Sequence, residues 1–231
     1  MFKKKPKTST STVRHLIAKF NPKSPISEQY RTLRTNIQFS GVDKKIKSLL
    51  ITSSEAGAGK SMTAANLAIV YAQQGLKTLL IDADLRKPTV HYTFRLDNLN
   101  GLSNALIEGA SLANIAQTNE IDNLDVIPSG PVPPNPSELL SSNQFKKILA
   151  EAYENYDMVI IDSPPTLAVT DAQILATRVD GIIIVARSGM TEIDELKEAV
   201  GLIKNVQGNL LGTVLNGVDK DTAGDYYYYG N

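Results

Sequence analysis

From Lys47 onward the chain alternates between short unbroken apolar runs and longer stretches in which apolar residues recur every three or four positions. The apolar runs predict strands near Ser48–Ser53, Thr78–Asp82, Leu124–Ile127, Asp157–Asp162, Gly181–Ala186 and Leu210–Asn216. Most are apolar at nearly every position, as strands are when helices cover both faces of a sheet. The stretches between them predict helices near Lys60–Gln74, Ser141–Tyr153, Asp171–Thr177 and Thr191–Asn205. In the last, Ile193, Leu196, Val200 and Ile203 form the expected buried stripe, and Glu192, Asp194 and Glu195 complement the helix N-terminus. Such alternation predicts an α/β fold with a doubly wound, mostly parallel sheet flanked by helices. The segment from Pro128 to Pro136 is rich in proline and is expected to be a stiff, extended surface loop.

Ahead of this core the pattern differs. Residues 1–23 are polar and rich in Ser, Thr and Lys, which predicts a flexible N-terminal segment except where it packs locally. Ser24 followed by Pro25 reads as an N-cap and first helical position. Ile26, Tyr30, Leu33 and Ile37 then fall on one stripe of a helix, and Glu28, Arg31 and Arg34 on an adjoining one. The expected organisation is a flexible segment over 1–23, one domain over 24–217 that includes this helix, and a tail over 218–231.

Composition narrows the classes. Lys plus Arg and Asp plus Glu are equal at 24 each, so there is no overall field to attract nucleic acid, and none is expected as a partner. The absence of cysteine removes disulfides, iron–sulfur clusters and thiolate zinc sites, and His15 and His91 lack metal-like spacing. No apolar run approaches the roughly 20 residues that cross a bilayer. Lys3, Lys4, Lys5 and Lys7 have no apolar stretch behind them, so they do not read as a signal peptide. The protein is expected in the cytoplasm, with any firm membrane attachment supplied by a partner.

The chemistry concentrates at strand ends. Ile51 to Ser61 runs from a predicted strand straight into a predicted helix, the context that a phosphate loop requires. Gly57 and Gly59 let amide groups around Ala58 turn toward phosphates, and the helix beginning at Lys60 adds its positive end. Lys60 can bridge β- and γ-phosphates and the Ser61 hydroxyl can ligate Mg²⁺, so Gly57, Ala58, Gly59, Lys60, Ser61 and Met62 form the candidate ATP-binding set. Ser54 stands where the motif has its first glycine. Asp82 and Asp84 follow the next strand two residues apart and can face one site together. Asp162 ends a third strand and is the expected second-shell partner of Mg²⁺. One of Asp82 and Asp84 is then free to accept a proton.

The chain ends with Tyr226, Tyr227, Tyr228 and Tyr229, followed by Gly230 and Asn231. Consecutive tyrosines cannot all hide on one face, so they are either a packing tail or acceptors. Together these features resemble the bacterial tyrosine kinases of capsular and exopolysaccharide synthesis, with a P-loop NTPase fold. The resemblance runs from about Ser24 to Gly230. It rests on Gly57–Ser61, Asp82-Ala83-Asp84-Leu85-Arg86-Lys87-Pro88, Ile161-Asp162-Ser163-Pro164-Pro165, Gly130 to Pro136, the Glu28-x-x-Arg31-x-x-Arg34 helix and the tyrosine tail.

The resemblance implies a protein-tyrosine kinase that uses ATP and Mg²⁺ and phosphorylates Tyr226 to Tyr229. Asp82 would be the base, and Asp84 and Asp162 would organise the metal. Glu28, Arg31 and Arg34 would join subunits into a ring, although on spacing alone they equally describe a solvated ion-paired face. It implies the split form, activated by a separate membrane protein of the polysaccharide chain-length family through its cytoplasmic tail, acting on protein tyrosines and reset by a cognate phosphatase. The kinase would then lie at the inner face of the membrane. Asn216 would border the adenine pocket by analogy with related ATPases. A switch-type ATPase of the partition and septum-placement kind shares the sheet and acids, but usually carries a lysine where Glu55 stands and lacks the tail. A nucleotide-gated scaffold for the polysaccharide machinery remains open as well.

Overall fold

The computed structural model describes residues 16–41 and 45–218. In chain order it contains α1 (Ile17–Phe20), α2 (Pro25–Ser40), β1 (Ser48–Ser53), α3 (Lys60–Ala72), β2 (Thr78–Asp82), α4 (Val90–Phe94), α5 (Leu102–Glu108) and α6 (Leu112–Ile115). There follow β3 (Gln117–Thr118), β4 (Leu124–Ile127), α7 (Pro136–Ser141), α8 (Asn143–Asn155), β5 (Met158–Asp162), α9 (Asp171–Ala176), β6 (Gly181–Arg187), α10 (Ile193–Asn205) and β7 (Leu210–Asn216). The strands form one sheet in the order β3-β4-β2-β5-β1-β6-β7. All neighbours are parallel except β3, which runs antiparallel to β4. This is the doubly wound architecture that the alternation predicts.

Side chains leave the strands alternately to two cores. Leu49, Ile51, Leu80, Ile160, Ile183 and Val185 pack beneath α1, α2 and α3. Leu50, Leu79, Ile81, Val159, Ile161, Ile182 and Ile184 face the other core, with Phe145 and Ile148 of α8 and Ala199 and Ile203 of α10. Because both faces of β1, β2, β5 and β6 are covered, these strands carry no polar alternation, and their ends lie within a residue of those the sequence predicts, whereas the edge strand β7 is half-buried to exposed along its length.

The helices differ more. α10 buries Ala199 and Ile203 with Leu196 and Val200 half-buried, but Ile193, at its first position, is 70% exposed. On α2 the stripe closes on Ile37, whereas Ile26 is 45% exposed. Ser24 caps α2 as expected, its Oγ accepting from Ser27 N at 3.1 Å with Pro25 at the first position. The segment expected to be flexible over 1–23 joins the packed body from Leu16 onward. Leu16 and Ala18 are buried, Ala18 N donates to Asn66 Oδ1 (2.9 Å), and Gln73 Nε2 donates to Ala18 O (2.8 Å). The proline-rich segment is only half a surface loop: Pro128, Ser129, Gly130, Pro133 and Pro136 are buried. Its backbone is tied down by Leu102 N to Pro128 O, Ser103 N to Ser129 O and Asn98 Nδ2 to Gly130 O.

Candidate active site

Three adjacent strands, β2, β5 and β1, present their carboxyl ends together. Asp82 and Asp162 are register partners across β2 and β5, and Ile51 pairs with Asp162 across β1 and β5. β5 therefore sets Asp162 between the phosphate loop and the Asp82–Asp84 segment. Ligands of open parallel sheets sit at this edge.

From β1 the chain turns through Ser54–Gly59 into α3. Gly57 and Gly59 have φ of +91° and +98°, and Gly59 is the left-handed N-cap of α3. The left-handed backbone favours glycine at 59, and a Cβ there would also displace the Asn216 amide. Asn216, at the end of β7, donates Nδ2 to Ala58 O (3.0 Å) and accepts Gly217 N at Oδ1 (2.9 Å). Both ends of its amide are thus engaged with the backbone of the phosphate loop and of the β7 end.

Lys60 Nζ lies 3.0 Å from Asp84 Oδ2, 3.5 Å from Asp162 Oδ1 and 3.4 Å from Ser61 Oγ. Burial alone would make the ammonium easier to deprotonate, but the charges of Asp162 and Asp84 outweigh it and raise its pKa. Asp84 also accepts Lys87 N at Oδ1 (3.0 Å). Asp82 is fully buried, and its carboxylate accepts Asp84 N (3.2 Å), Thr89 N (3.1 Å) and Val90 N (2.9 Å). Burial, reinforced by Asp162, pushes its carboxyl up to about 7 despite the Val90 amide and Lys60. Burial likewise raises Asp162, partly offset by Lys60. Neither oxygen of Asp162 accepts a well-formed hydrogen bond.

Two of these carboxyl groups hold protons more tightly when folded than when unfolded. Their contribution to stability is complete below the unfolded value and is lost as pH rises through the folded one. The stability of the nucleotide-free protein should therefore fall as pH rises from about 4 to 7, by up to roughly 1.4 kcal/mol per pH unit for Asp82. Denaturant melts at stepped pH check this: Asp82→Asn should flatten the slope, and an unchanged slope would mean that Asp82 titrates normally.

The structure also builds in residues that sequence reasoning left without a role. Arg86 grips Asp171, Nε to Oδ2 at 2.9 Å and Nη2 to Oδ1 at 3.0 Å. Ser137 Oγ donates to Asp171 Oδ1 at 2.6 Å. This clip ties the segment after Asp84 to α7 and α9. The signal available was Arg86 two positions after Asp84, whereas Asp171 read only as the first residue of a helix. Arg34, expected at a subunit contact, donates Nη1 to Val70 O (2.6 Å) in the last turn of α3, and Arg31 pairs with Glu28 on its own helix. Tyr226, Tyr227, Tyr228 and Tyr229 lie outside the described residues.

A sheet edge that offers a glycine turn, a helix N-terminus and a buried ammonium together is suited to phosphate, and the fold class is that of P-loop nucleotide-binding proteins. Known proteins narrow the class. A family model described as an AAA domain matches residues 44–214. Tyrosine-protein kinase YwqD of Bacillus subtilis (strain 168) is 52% identical over 94% of this chain and 92% of its own. The putative tyrosine-protein kinase CapB of Staphylococcus aureus is 45% identical over 95% of this chain and 96% of its own. The crystal structure of the chimerical protein CapA2B2 superposes with a TM-score of 0.86 at 46% identity, covering 89% of this chain and 90% of that one. The chain belongs to the family of bacterial tyrosine-protein kinases.

Proposed function

We propose that this chain is an ATP-dependent protein-tyrosine kinase that phosphorylates its own C-terminal cluster, Tyr226 to Tyr229, and thereby regulates capsular or exopolysaccharide synthesis and export. The observation that carries the reading is the buried cluster itself. Asp82, with its carboxyl pushed up to about 7, stands beside Asp162 and the Lys60 ammonium at the edge of the phosphate loop.

A tyrosine hydroxyl, with a pKa of about 10, needs a base. A carboxylate of raised pKa is a better one than an ordinary surface acid. In the transfer, the phenolic proton passes to Asp82 as the tyrosine oxygen bonds to the γ-phosphorus and the bond to the β-phosphate oxygen breaks, releasing ADP. Lys60 balances charge on the transferring group, and amides around Gly57 to Met62 bind the phosphates. Mg²⁺, when bound, neutralises phosphate charge, with Ser61, Asp84 and Asp162 as its protein ligands or second-shell partners. Asp162 suits that role because its buried oxygens accept no well-formed hydrogen bond and have only the Lys60 ammonium, at 3.5 Å, as an ionic neighbour. Among the described residues no group of three or more acids or histidines forms a closed metal cage. Mg²⁺ needs none, since it takes one or two carboxylates with substrate phosphates and waters.

Among the described residues no helix is long and apolar enough to cross a membrane. The proposed setting is the cytoplasmic side of the membrane, where a membrane protein of the polysaccharide chain-length family activates the kinase through its cytoplasmic tail and a cognate phosphatase resets it. Other protein tyrosines would be substrates as well. From Asn216 to Tyr227 the chain spans at most roughly 36 Å, so a tail can reach its own site or a neighbour's. Transfer between subunits of a ring through Glu28, Arg31 and Arg34 is part of the proposal. The combined variant Glu28→Ala, Arg31→Ala and Arg34→Ala should elute as a monomer in size exclusion, and an unchanged assembly size would refute that interface.

The test of the function is incubation of the purified protein with ATP labelled at the γ-position, with and without the activator's cytoplasmic tail. Stable label on tyrosine supports the kinase. Free phosphate with no protein label supports the switch-type ATPase instead.

A further inference from the structure

The turn between β6 and α10 reaches over the phosphate loop and touches it at three points. Arg187 Nη1 donates to Gly57 O at 3.0 Å. Thr191 Oγ1 accepts Arg187 N at 2.7 Å and donates to Glu55 Oε1 at 2.5 Å. The Met190 side chain sits against Gly57, where a built Cβ would meet its methyl at 3.1 Å. Glu55 also takes the hydroxyl of Ser54, the residue that replaces the motif's first glycine.

We infer that Arg187 and Thr191 are positioning residues for the phosphate loop, acting through the Gly57 carbonyl and the Glu55 carboxylate rather than on the nucleotide. A peptide unit is planar and trans, so its C=O and the following N–H point in opposite directions. With the Gly57 carbonyl held outward by a guanidinium, the Ala58 N–H is turned the other way, toward the phosphate side. The same logic holds one residue on, where Asn216 holds the Ala58 carbonyl and so orients the Gly59 N–H. A cationic donor on a carbonyl also polarises that peptide and makes its N–H the stronger donor.

Glu55 gives the inference its sign. A carboxylate beside an anion-binding loop repels phosphate, so charge alone predicts that removing it tightens binding. If instead its bond to Thr191 holds the start of the loop, removing it loosens binding. The β6–α10 turn thereby supplies, from a distant part of the chain, the rigidity that the loop's own glycines cannot.

This inference rests on the reading of Gly57–Ser61 as a phosphate site, and calorimetric titration of the full chain with Mg·ADP separates the two. Thr191→Val and Arg187→Met should each weaken binding by about five- to tenfold, with Arg187→Lys recovering most of the loss. Glu55→Ala should weaken it as well. Thermal unfolding without nucleotide should shift little for all four, because Arg187 is exposed and Thr191 half-buried. Unaltered affinity in Thr191→Val, or tighter binding in Glu55→Ala, overturns the inference. So does a loss confined to Arg187→Met, since Arg187 would then contact the nucleotide itself. A parent protein that does not bind Mg·ADP overturns the phosphate site, and the inference with it.

Discussion

Lys60→Met should abolish tyrosine phosphorylation, lowering the rate of label incorporation by at least about a thousandfold. Lys60 is the cation that meets both Asp84 and Asp162, and it stands at the first position of α3, beside the amides of the loop. Its removal takes a positive charge from the transferring phosphoryl group and leaves two buried carboxylates facing each other unneutralised. Breaking such a pair from one side costs about 3–5 kcal/mol unless the orphaned acids take up protons. The variant should therefore lose more stability relative to the parent at high pH than at low pH, because burial already raises the Asp162 carboxyl and the missing ammonium no longer offsets it. Circular-dichroism melts at high and low pH, run beside the labelling assay, separate lost chemistry from lost folding. A folded Lys60→Met protein that still labels within tenfold of the parent would remove Lys60 from the mechanism.

Changing Tyr226, Tyr227, Tyr228 and Tyr229 together to Phe should remove most of the incorporated phosphate while leaving nucleotide affinity unchanged. Phenylalanine keeps the ring and deletes only the nucleophilic oxygen, so loss of label reports chemistry rather than packing. The chain has nine tyrosines, and five lie among the described residues. Of these Tyr71 and Tyr156 are buried, Tyr30 and Tyr153 are half-buried, and Tyr92 is 70% exposed. Burial also pushes the Tyr71 hydroxyl up, away from reactivity. Residual label is accordingly expected on Tyr92, two residues after the Val90 amide that binds Asp82. Mass spectrometry of digested, labelled protein reads both results. A variant that labels as heavily as the parent would show that the tail is not the main acceptor.

The errors of sequence reading share a cause. α4, α5, α6 and α7 have between four and seven residues each, too short for an apolar period to repeat and be recognised. β3 has two residues and exists because it pairs with β4, a relation between distant segments. Ile193 matches the helical stripe yet faces solvent, since periodicity says which residues share a face but not how far along the helix that face is covered. The proline-rich segment looked like surface because proline cannot join a ladder. It is half-buried because Asn98, Leu102 and Ser103 bond its backbone from α5 and the preceding loop.

What the sequence by itself determined was the chemistry that depends on neighbours in the chain. Gly57 and Gly59 before Lys60 and Ser61 specify a turn that feeds a helix, and apolar runs closing on Asp82 and Asp162 specify strand-end acids. Local conformation is set by adjacent residues, so such motifs can be read directly. Tertiary structure alone decided that β5 lies between β1 and β2, which makes Asp162 the common neighbour of Lys60 and Asp82. It also decided that Asp82 is buried deeply enough to hold its proton to about 7, and that Arg34, Arg86, Arg187 and Asn216 bond within the chain. Strand order and desolvation arise from segments far apart in sequence packing against one another, and the local pattern along a chain carries no record of them.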